Sequence, residues 1–406
     1  MVMPLDAPQP SFPLLSPEIF ETFNDVPDAG EPLEAVGEMQ LPPIVFGAGT
    51  FSNQYNEDGH LEGVTPLRTI RLALQSGINA FDTSAYYGPS EIIIGNALKT
   101  LKDEFPRSTY RLMTKCGRYG VYRENFDYSP STIRKSVERS LARLHTTYLD
   151  VVYLHDVEFV VEAVLARSNG DHTTALTTEE KEYGLAEEQM GKVWGDGDRK
   201  FLGALAELRK MQSEGLIKHV GITGYPLPTL LRLSLLALHT APFKPLDVLL
   251  SYSQSNLQNG AFAAFAPHFR NRAKIPQLLA ASPLNMGLLT NSPPSWHPAP
   301  PALRDAVARS VKAVGEWPGG LPNVAIGFSI REKWDKKVVG NNTSEIPVVI
   351  GLSSPEEVKE AVRVWREVRS ISVDEERLSM EQKVTFEMKE SGYFGWAWES
   401  PAPPSE

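Results

Sequence analysis

The sequence predicts a (β/α)8 TIM barrel, an α/β fold of eight parallel strands ringed by helices. Three observations point to it. Eight short apolar runs recur along the chain: IVFGAG (44–49), INAFDT (78–83), YRLMTK (110–115), LDVVYLH (149–155), HVGIT (219–223), LDVLLS (246–251), PQLLAAS (276–282) and IPVVIG (346–351). Most lack polar alternation, as strands covered on both faces do. Helical patterns lie between them, so strands and helices alternate. No glycine-rich dinucleotide fingerprint follows the first run, which argues against an open doubly wound sheet.

The helical stretches carry their own signals. TPLRTIRLALQSG has apolar residues at three- and four-residue spacing and stops at Gly77. SPSTIRKSVERSLARL opens on Ser-Pro and sets Ile133, Val137, Leu141 and Leu144 on one face. RKFLGALAELRKMQSEG and SPEEVKEAVRVWREV repeat the pattern. Residues 1–40 are rich in Pro, Asp and Glu and read as an extended or loosely docked arm. The barrel covers 41–370, and an extension covers 371–406, whose last residues, WESPAPPSE, read as a disordered tail. A long insertion, 157–198, interrupts the barrel after strand four. βα loops lie on the catalytic face of a barrel, so the insertion is expected beside the site, with plain surface decoration as the alternative. A Pro-rich loop at 291–301 follows strand seven.

Composition narrows the function classes. Forty Lys and Arg face 50 Asp and Glu, a net charge of −10, which speaks against nucleic acid or an anionic membrane as partner. No apolar run approaches the roughly 18 residues of a membrane span. The first basic residue is Arg68, so neither a secretory nor a mitochondrial leader is expected, and the chain reads as soluble and cytoplasmic. Its one cysteine, Cys116, excludes an intramolecular disulfide framework and a Cys-based zinc site; no metal is expected, and Cys116 reads as a small apolar filler rather than a redox switch. The sequons at Asn341 and Asn342 read as chance matches. Nothing selects an oligomeric state.

The stretch FDTSAYYGPSE (81–91) raises the functional question. Asp82 closes strand two, Lys115 closes strand three and His155 closes strand four, and Tyr87 follows Asp82 by five residues on a loop. Singly, these read as a helix cap, a solvated strand end and a core histidine. On three successive strand ends of one barrel they converge, and together they read as a catalytic constellation.

These segments resemble a known family. FDTSAYYG, MTKCG and VVYLHD are similar to the Asp, Tyr, Lys and His signatures of the aldo-keto reductases, and the likeness runs from about residue 44 to 368. The sequence most resembles the NAD-dependent sugar-oxidising branch of that family. The resemblance implies that Tyr87 is a general acid in carbonyl reduction or a general base in alcohol oxidation. It implies that Lys115 pulls the phenol pKa down, that Asp82 holds Lys115 charged, and that His155 donates to the reacting oxygen. The family spacing places Tyr87-Gly88, not Tyr86, at the acid–base position.

The resemblance also implies a cofactor groove. Its residues would be Gly49 and Thr50 after strand one, Thr223 and Gly224 after strand five, and Tyr252, with Ser251, Gln254 and Asn256, after strand six. Ser282, Leu284 and Gly287 would back the pyrophosphate after strand seven, and Gly351, Ser353, Ser354 and Glu357 follow strand eight. Two positions depart from the family: a Ser-Asn pair is replaced by Thr223-Gly224, and a stacking Tyr by Ala281. NADPH-using relatives place a Lys and an Arg where this chain has Gly351 and Glu357. That loss implies NAD as cofactor. The implied reaction is oxidation of the C1 hydroxyl of an aldose, D-arabinose foremost, to the lactone. An NADPH-dependent carbonyl reductase and a nucleotide-sensing binding subunit of the same fold remain as alternatives.

Overall fold

The computed structural model describes residues 5, 9–332, 345–369 and 375–401. Eight parallel strands close into a barrel in sequence order: β1 (Ile44–Gly47), β2 (Ala80–Asp82), β3 (Arg111–Cys116), β4 (Leu149–Leu154), β5 (Ile217–Gly224), β6 (Val248–Tyr252), β7 (Gln277–Ala281) and β8 (Val348–Gly351). All eight predicted runs are strands. The helices, in chain order, are α1 (Thr65–Gln75), α2 (Ser90–Thr100), α3 (Pro130–Arg143), α4 (Asp196–Ser213), α5 (Leu227–His239), α6 (Ala261–Asn271), α7 (Pro301–Val314), α8 (Gly320–Glu332), α9 (Pro355–Arg369) and α10 (Glu375–Glu390). Among the described residues no helix is long and apolar enough to cross a membrane. The sequons lie outside the described residues.

Two apolar layers account for the strands' unbroken hydrophobicity. Val45, Ala80, Met113, Val151, Tyr153, Val248, Leu250, Leu279 and Val349 fill the barrel interior. Their neighbours in sequence, such as Phe46, Phe81, Leu112, Val152 and Leu249, belong to the outer layer that the helices cover. Successive side chains alternate between the two layers. That period carries the inner face upward from Ala80 to Asp82, from Met113 to Lys115 and from Tyr153 to His155. The fold therefore aims these three polar side chains into one mouth.

Helix packing on the outside is close. Gly95 on α2 meets the end of α3: a Cβ there would lie 2.0 Å from the Arg143 carbonyl oxygen and 2.8 Å from the Leu144 Cα. One turn earlier, Glu91 pairs with Arg143 at 3.0 Å and accepts from Thr114 Oγ1 at 2.7 Å. Gly95→Ala must push backbone against backbone, and we expect it to destabilise the protein by about 1–3 kcal/mol. Thermal unfolding followed by circular dichroism measures this, and an unchanged melting temperature would show that the two helices separate freely.

Three peripheral segments refine their sequence reading. From residue 12 onward the acidic arm is docked. Its Phe12 and Leu15 carbonyls accept from Asn96 Nδ2 (3.0 Å) and Thr100 Oγ1 (2.9 Å), and Asp25 takes a two-point hydrogen bond from Arg68 at 2.6 and 2.8 Å. The insertion borders the mouth only at its start. Beyond Gly170 it buries Ala175, Tyr183 and Leu185 and runs down the outside of α5 and α6, where Glu180 meets Arg272 at 2.8 Å and Gly191 abuts His239. Its apolar residues need cover, and those helix faces supply it. Much of the insertion is therefore cladding.

The third is the C-terminal segment, which is not a free tail through Pro401. Gln258 Nε2 donates to the carbonyls of Tyr393 (2.6 Å) and Trp396 (2.8 Å), and Ala397 forms an antiparallel bridge with Gly170. Trp398 stacks on Tyr225 with centroids 4.1 Å apart, and its N–H donates to the Tyr225 hydroxyl at 3.1 Å. Stacking and burial of the indole offset the ordering of this Pro-rich stretch. Residues 402–406 lie outside the described residues.

Candidate active site

Lys115 is buried at the end of β3. Its Nζ lies 2.5 Å from Asp82 Oδ1 and 2.9 Å from the Thr83 carbonyl oxygen. It also sits 4.8 Å from the centre of the Tyr87 ring. Burial opposes its charge, but Asp82 and Tyr87 outweigh that and hold the ammonium above its usual pKa. Lys115 is therefore a fixed cation beside the phenol.

Tyr87 behaves differently from the sequence expectation. Burial pushes its pKa above the ordinary phenol value, and Lys115 offsets only part of the rise, while Asp82 and Asp156 add to it. A phenolate in this half-buried mouth loses more hydration than one ammonium, itself paired with a carboxylate, returns. The expected downward pull by Lys115 is present, but it is not the net effect. Gly49 lies beside the ring: a Cβ there would be 3.7 Å from Tyr87 Cε2.

His155 stands on the other side, edge-on to Tyr87, with ring centroids 5.8 Å apart. Its Nδ1 is 2.9 Å from Ser84 Oγ. The Ser84 oxygen already accepts the Tyr86 N–H at 3.0 Å, so its hydroxyl proton is available to Nδ1. That arrangement favours the tautomer with the ring proton on Nε2. Burial, with help from Lys115 and Arg118, holds the His155 pKa well below its usual value, so the ring is neutral. Tyr128 fixes the backbone by donating to the His155 carbonyl at 2.7 Å. The opening stretch is thus accounted for: Asp82 and Thr83 hold the lysine, Ser84 the histidine, and Glu91 anchors the next helix.

Several residues here were not singled out from the sequence. Asp156 has left-handed backbone angles, φ 48° and ψ 62°, which a non-glycine residue adopts at a cost of about 1–3 kcal/mol. Its Oδ2 is ion-paired with Arg118 Nη1 and lies 3.7 Å from His155 Nε2. Arg118 in turn lies over the Tyr86 ring at 3.8 Å. Glu158 is buried beside Gly224, where a Cβ would come within 2.3 Å of its Oε2. Its Oε1 accepts from the Tyr225 N–H (2.9 Å) and the Ser400 hydroxyl (3.2 Å). Burial, then the Asp156 charge, pushes the Glu158 carboxyl up to about 8. The Leu-His-Asp run was visible, but that its aspartate turns back toward the histidine depends on a loop angle. Cys116 is buried, and burial raises its thiol, as suits a packing residue.

The proposed cofactor residues fall around the same rim, with different engagements. Thr223 is buried at the end of β5, and Tyr252 continues the inward face of β6. Buried Ser251 Oγ, Ser253 Oγ and Asn256 Nδ2 have no partner among the described residues. They are donors and acceptors that a bound polar group can satisfy, which fits a dinucleotide. Gln254 is engaged elsewhere, donating to the Tyr225 carbonyl at 3.1 Å. The turn after β7 closes on itself. The N–H groups of Ser282 and Gly287 donate to Val349 O (3.1 Å) and Leu284 O (3.1 Å), and the Ser282 hydroxyl accepts from Met286 N–H at 2.7 Å. The expected phosphate cradle is therefore not offered by the amides of Ser282 and Gly287. Leu284 N–H has no partner among the described residues. Thr50 Oγ1 donates to Leu352 O at 2.7 Å, and its methyl lies 3.0 Å from where a Gly351 Cβ would be. Exposed Glu357 accepts from Ser353 N–H (2.6 Å) and Ser353 Oγ (3.0 Å), and its own N–H donates to Ser354 Oγ at 3.3 Å. These contacts cap α9.

Comparison with known proteins agrees with this geometry. The model of the aldo/keto reductase family matches residues 43–375. D-arabinose 1-dehydrogenase of Saccharomyces cerevisiae is 36% identical over 335 residues, covering 81% of this chain and 84% of the relative. L-galactose dehydrogenase of Arabidopsis thaliana is 31% identical over 353 residues, covering 86% and 92%. Among solved structures, an aldo-keto reductase from Bacillus halodurans superposes with a TM-score of 0.55 at 18% identity, over 86% of this chain and 94% of that one. That last likeness speaks for the fold alone. A closed eight-stranded barrel, a Lys-Asp pair beside a phenol and a neutral histidine at its mouth, and these matches lead to one conclusion: the chain belongs to the aldo/keto reductase family.

Proposed function

We propose that this enzyme oxidises the C1 hydroxyl of a cyclic aldose, D-arabinose foremost, to the lactone with NAD. The observation that carries the reading is the phenol of Tyr87 held between the Lys115–Asp82 pair and a neutral His155. In this reading the Tyr87 phenolate takes the proton of the C1 hydroxyl. His155 Nε2–H donates to the same oxygen and orients it. The C1–H bond breaks with its electron pair, and the C1–O bond becomes a carbonyl. Bound NAD supplies the hydride acceptor. The aldose dehydrogenases among the similar proteins support the substrate class. The cytoplasm is the compartment we infer.

NADH formation across a panel of pentoses and hexoses tests this. Turnover of an aldose supports it; reduction of carbonyls with NADPH and no sugar oxidation would replace it with a carbonyl reductase, and nucleotide binding without turnover with a sensor.

Cofactor choice follows from charge at the start of α9. Glu357 is exposed there, and Gly351 offers no side chain. A carboxylate repels a 2′-phosphate and accepts from ribose hydroxyls. We expect kcat/KM to favour NAD over NADP, and Glu357→Arg to narrow that ratio. Because the substitution also removes a helix cap, the ratio is the measure, since a lost cap affects both cofactors alike. A wild-type preference for NADP would overturn the assignment, and an unmoved ratio would remove Glu357 from it.

A further inference from the structure

We propose that Asp156 and Arg118, backed by the Tyr86 ring, form the subsite that reads the hydroxyl next to the carbon being oxidised. The inference rests on the aldose reading above and adds residues which that mechanism does not use. In the aldose reading His155 Nε2 faces the reacting oxygen, and Asp156 Oδ2 lies 3.7 Å from that nitrogen. That distance is too long for a hydrogen bond, so His155 Nε2 stays open to a ligand, and the Asp156 carboxylate, though paired with Arg118, keeps acceptor capacity for one. The oxygens on adjacent sugar carbons lie about one hydrogen-bond length apart. An aldose whose C1 oxygen sits on His155 thus brings its C2 hydroxyl to the Asp156 carboxylate.

The surroundings are built for this and not for solvent. Both side chains are largely buried. The Arg118 guanidinium donates from Nε to the Gly120 carbonyl at 3.1 Å and from Nη1 to Asp156, and Nη2 has no partner among the described residues. Phe126 and Phe159, stacked with centroids 4.6 Å apart, stand behind it, 5.5 and 5.3 Å from its Cζ. The Tyr86 ring lies 3.8 Å from Cζ and 5.9 Å from the His155 ring. An acceptor, a donor and an aromatic ring side by side recognise a polyhydroxylated ring. The left-handed backbone at Asp156 is the local conformation that turns its carboxylate back toward the mouth.

The test compares the best aldose of the panel with its 2-deoxy counterpart; for D-arabinose this is 2-deoxy-D-erythro-pentose. In the wild type kcat/KM should favour the parent sugar by about 10–100-fold, the worth of a hydrogen bond to a charged group. Arg118→Met/Asp156→Leu removes both charges while keeping volume. It should bring the ratio toward unity through loss on the parent sugar, with NAD affinity, read by protein fluorescence, unchanged. An unchanged ratio in a variant that binds NAD normally overturns the proposal. Should the double variant fail to bind NAD, Asp156→Asn decides: the ratio falls several-fold if the subsite is real and stays put if it is not. A wild type that oxidises an aldose but treats the 2-deoxy sugar equally defeats this inference alone. A wild type that oxidises no aldose defeats the aldose reading, and this one with it.

Discussion

Tyr87→Phe is expected to lower kcat for sugar oxidation by about 10²–10⁴-fold, the usual contribution of one positioned acid–base group. The substitution removes a hydroxyl and leaves the ring, so its contacts with Lys115 and His155 stay in place. NAD affinity, read by fluorescence titration, should therefore hold. Tyr86→Phe should be mild by comparison. Its ring serves Arg118, and Phe keeps that face. If Tyr86→Phe were the inactive variant, the proton relay would run through the neighbouring phenol and the Asp-to-Tyr spacing would have misled.

Lys115→Met should move the pH dependence. The active form of the base is phenolate, so oxidation rises as pH climbs through the Tyr87 pKa. Burial has raised that pKa, and Lys115 is the main charge that opposes the rise. Removing it leaves burial and Asp82 acting in the same direction, so the rise should shift upward by about 1–3 pH units, the reach of one nearby charge. At neutral pH this means a rate lower by about 10–1000-fold. His155 is neutral throughout, so its titration does not confuse the profile. The same change strands Asp82 in the interior at a cost of about 3–5 kcal/mol. Asp82→Asn/Lys115→Met removes the stranded charge and should recover much of the stability while keeping the low neutral-pH rate. An unaltered pH profile in Lys115→Met would mean that the lysine only holds the fold.

What could be read from the sequence divides along physical lines. Strands buried on two faces announce themselves as unbroken apolar runs, and the period of two carries Asp82, Lys115 and His155 to one mouth, so barrel and convergence were both legible. Burial of the phenol was not. Whether Tyr87 titrates high or low depends on how much water reaches it, and no local pattern encodes that. Arg118, Asp156 and Glu158 lie on βα loops whose backbone angles are set by tertiary contacts, and Asp156 adopts one that few residues would choose unaided. The Pro-rich C-terminal stretch has the composition of a free tail. Its docking rests on the Trp398 indole finding Tyr225 and on contacts with Gly170, Gln258 and Glu158, all far away in the chain.

The C-terminal stretch and the proton-transfer group come from distant parts of the chain. The hydrogen bond from Ser400 to Glu158 joins residues 242 positions apart, and Trp398 reaches Tyr225 across 173. Contacts so remote in sequence carry the loop-closure cost of long-range pairing, as the β1–β8 seam from Ile44 to Val348 does. The proton-transfer group at residues 82–155 is built from parts of the chain nearer one another than those the Trp398 and Ser400 contacts join. Chemistry and enclosure are written in separate parts of the gene. A substitution at Trp398 or Ser400 alters contacts with Tyr225 and Glu158 and touches neither the Lys115–Asp82 pair nor Tyr87.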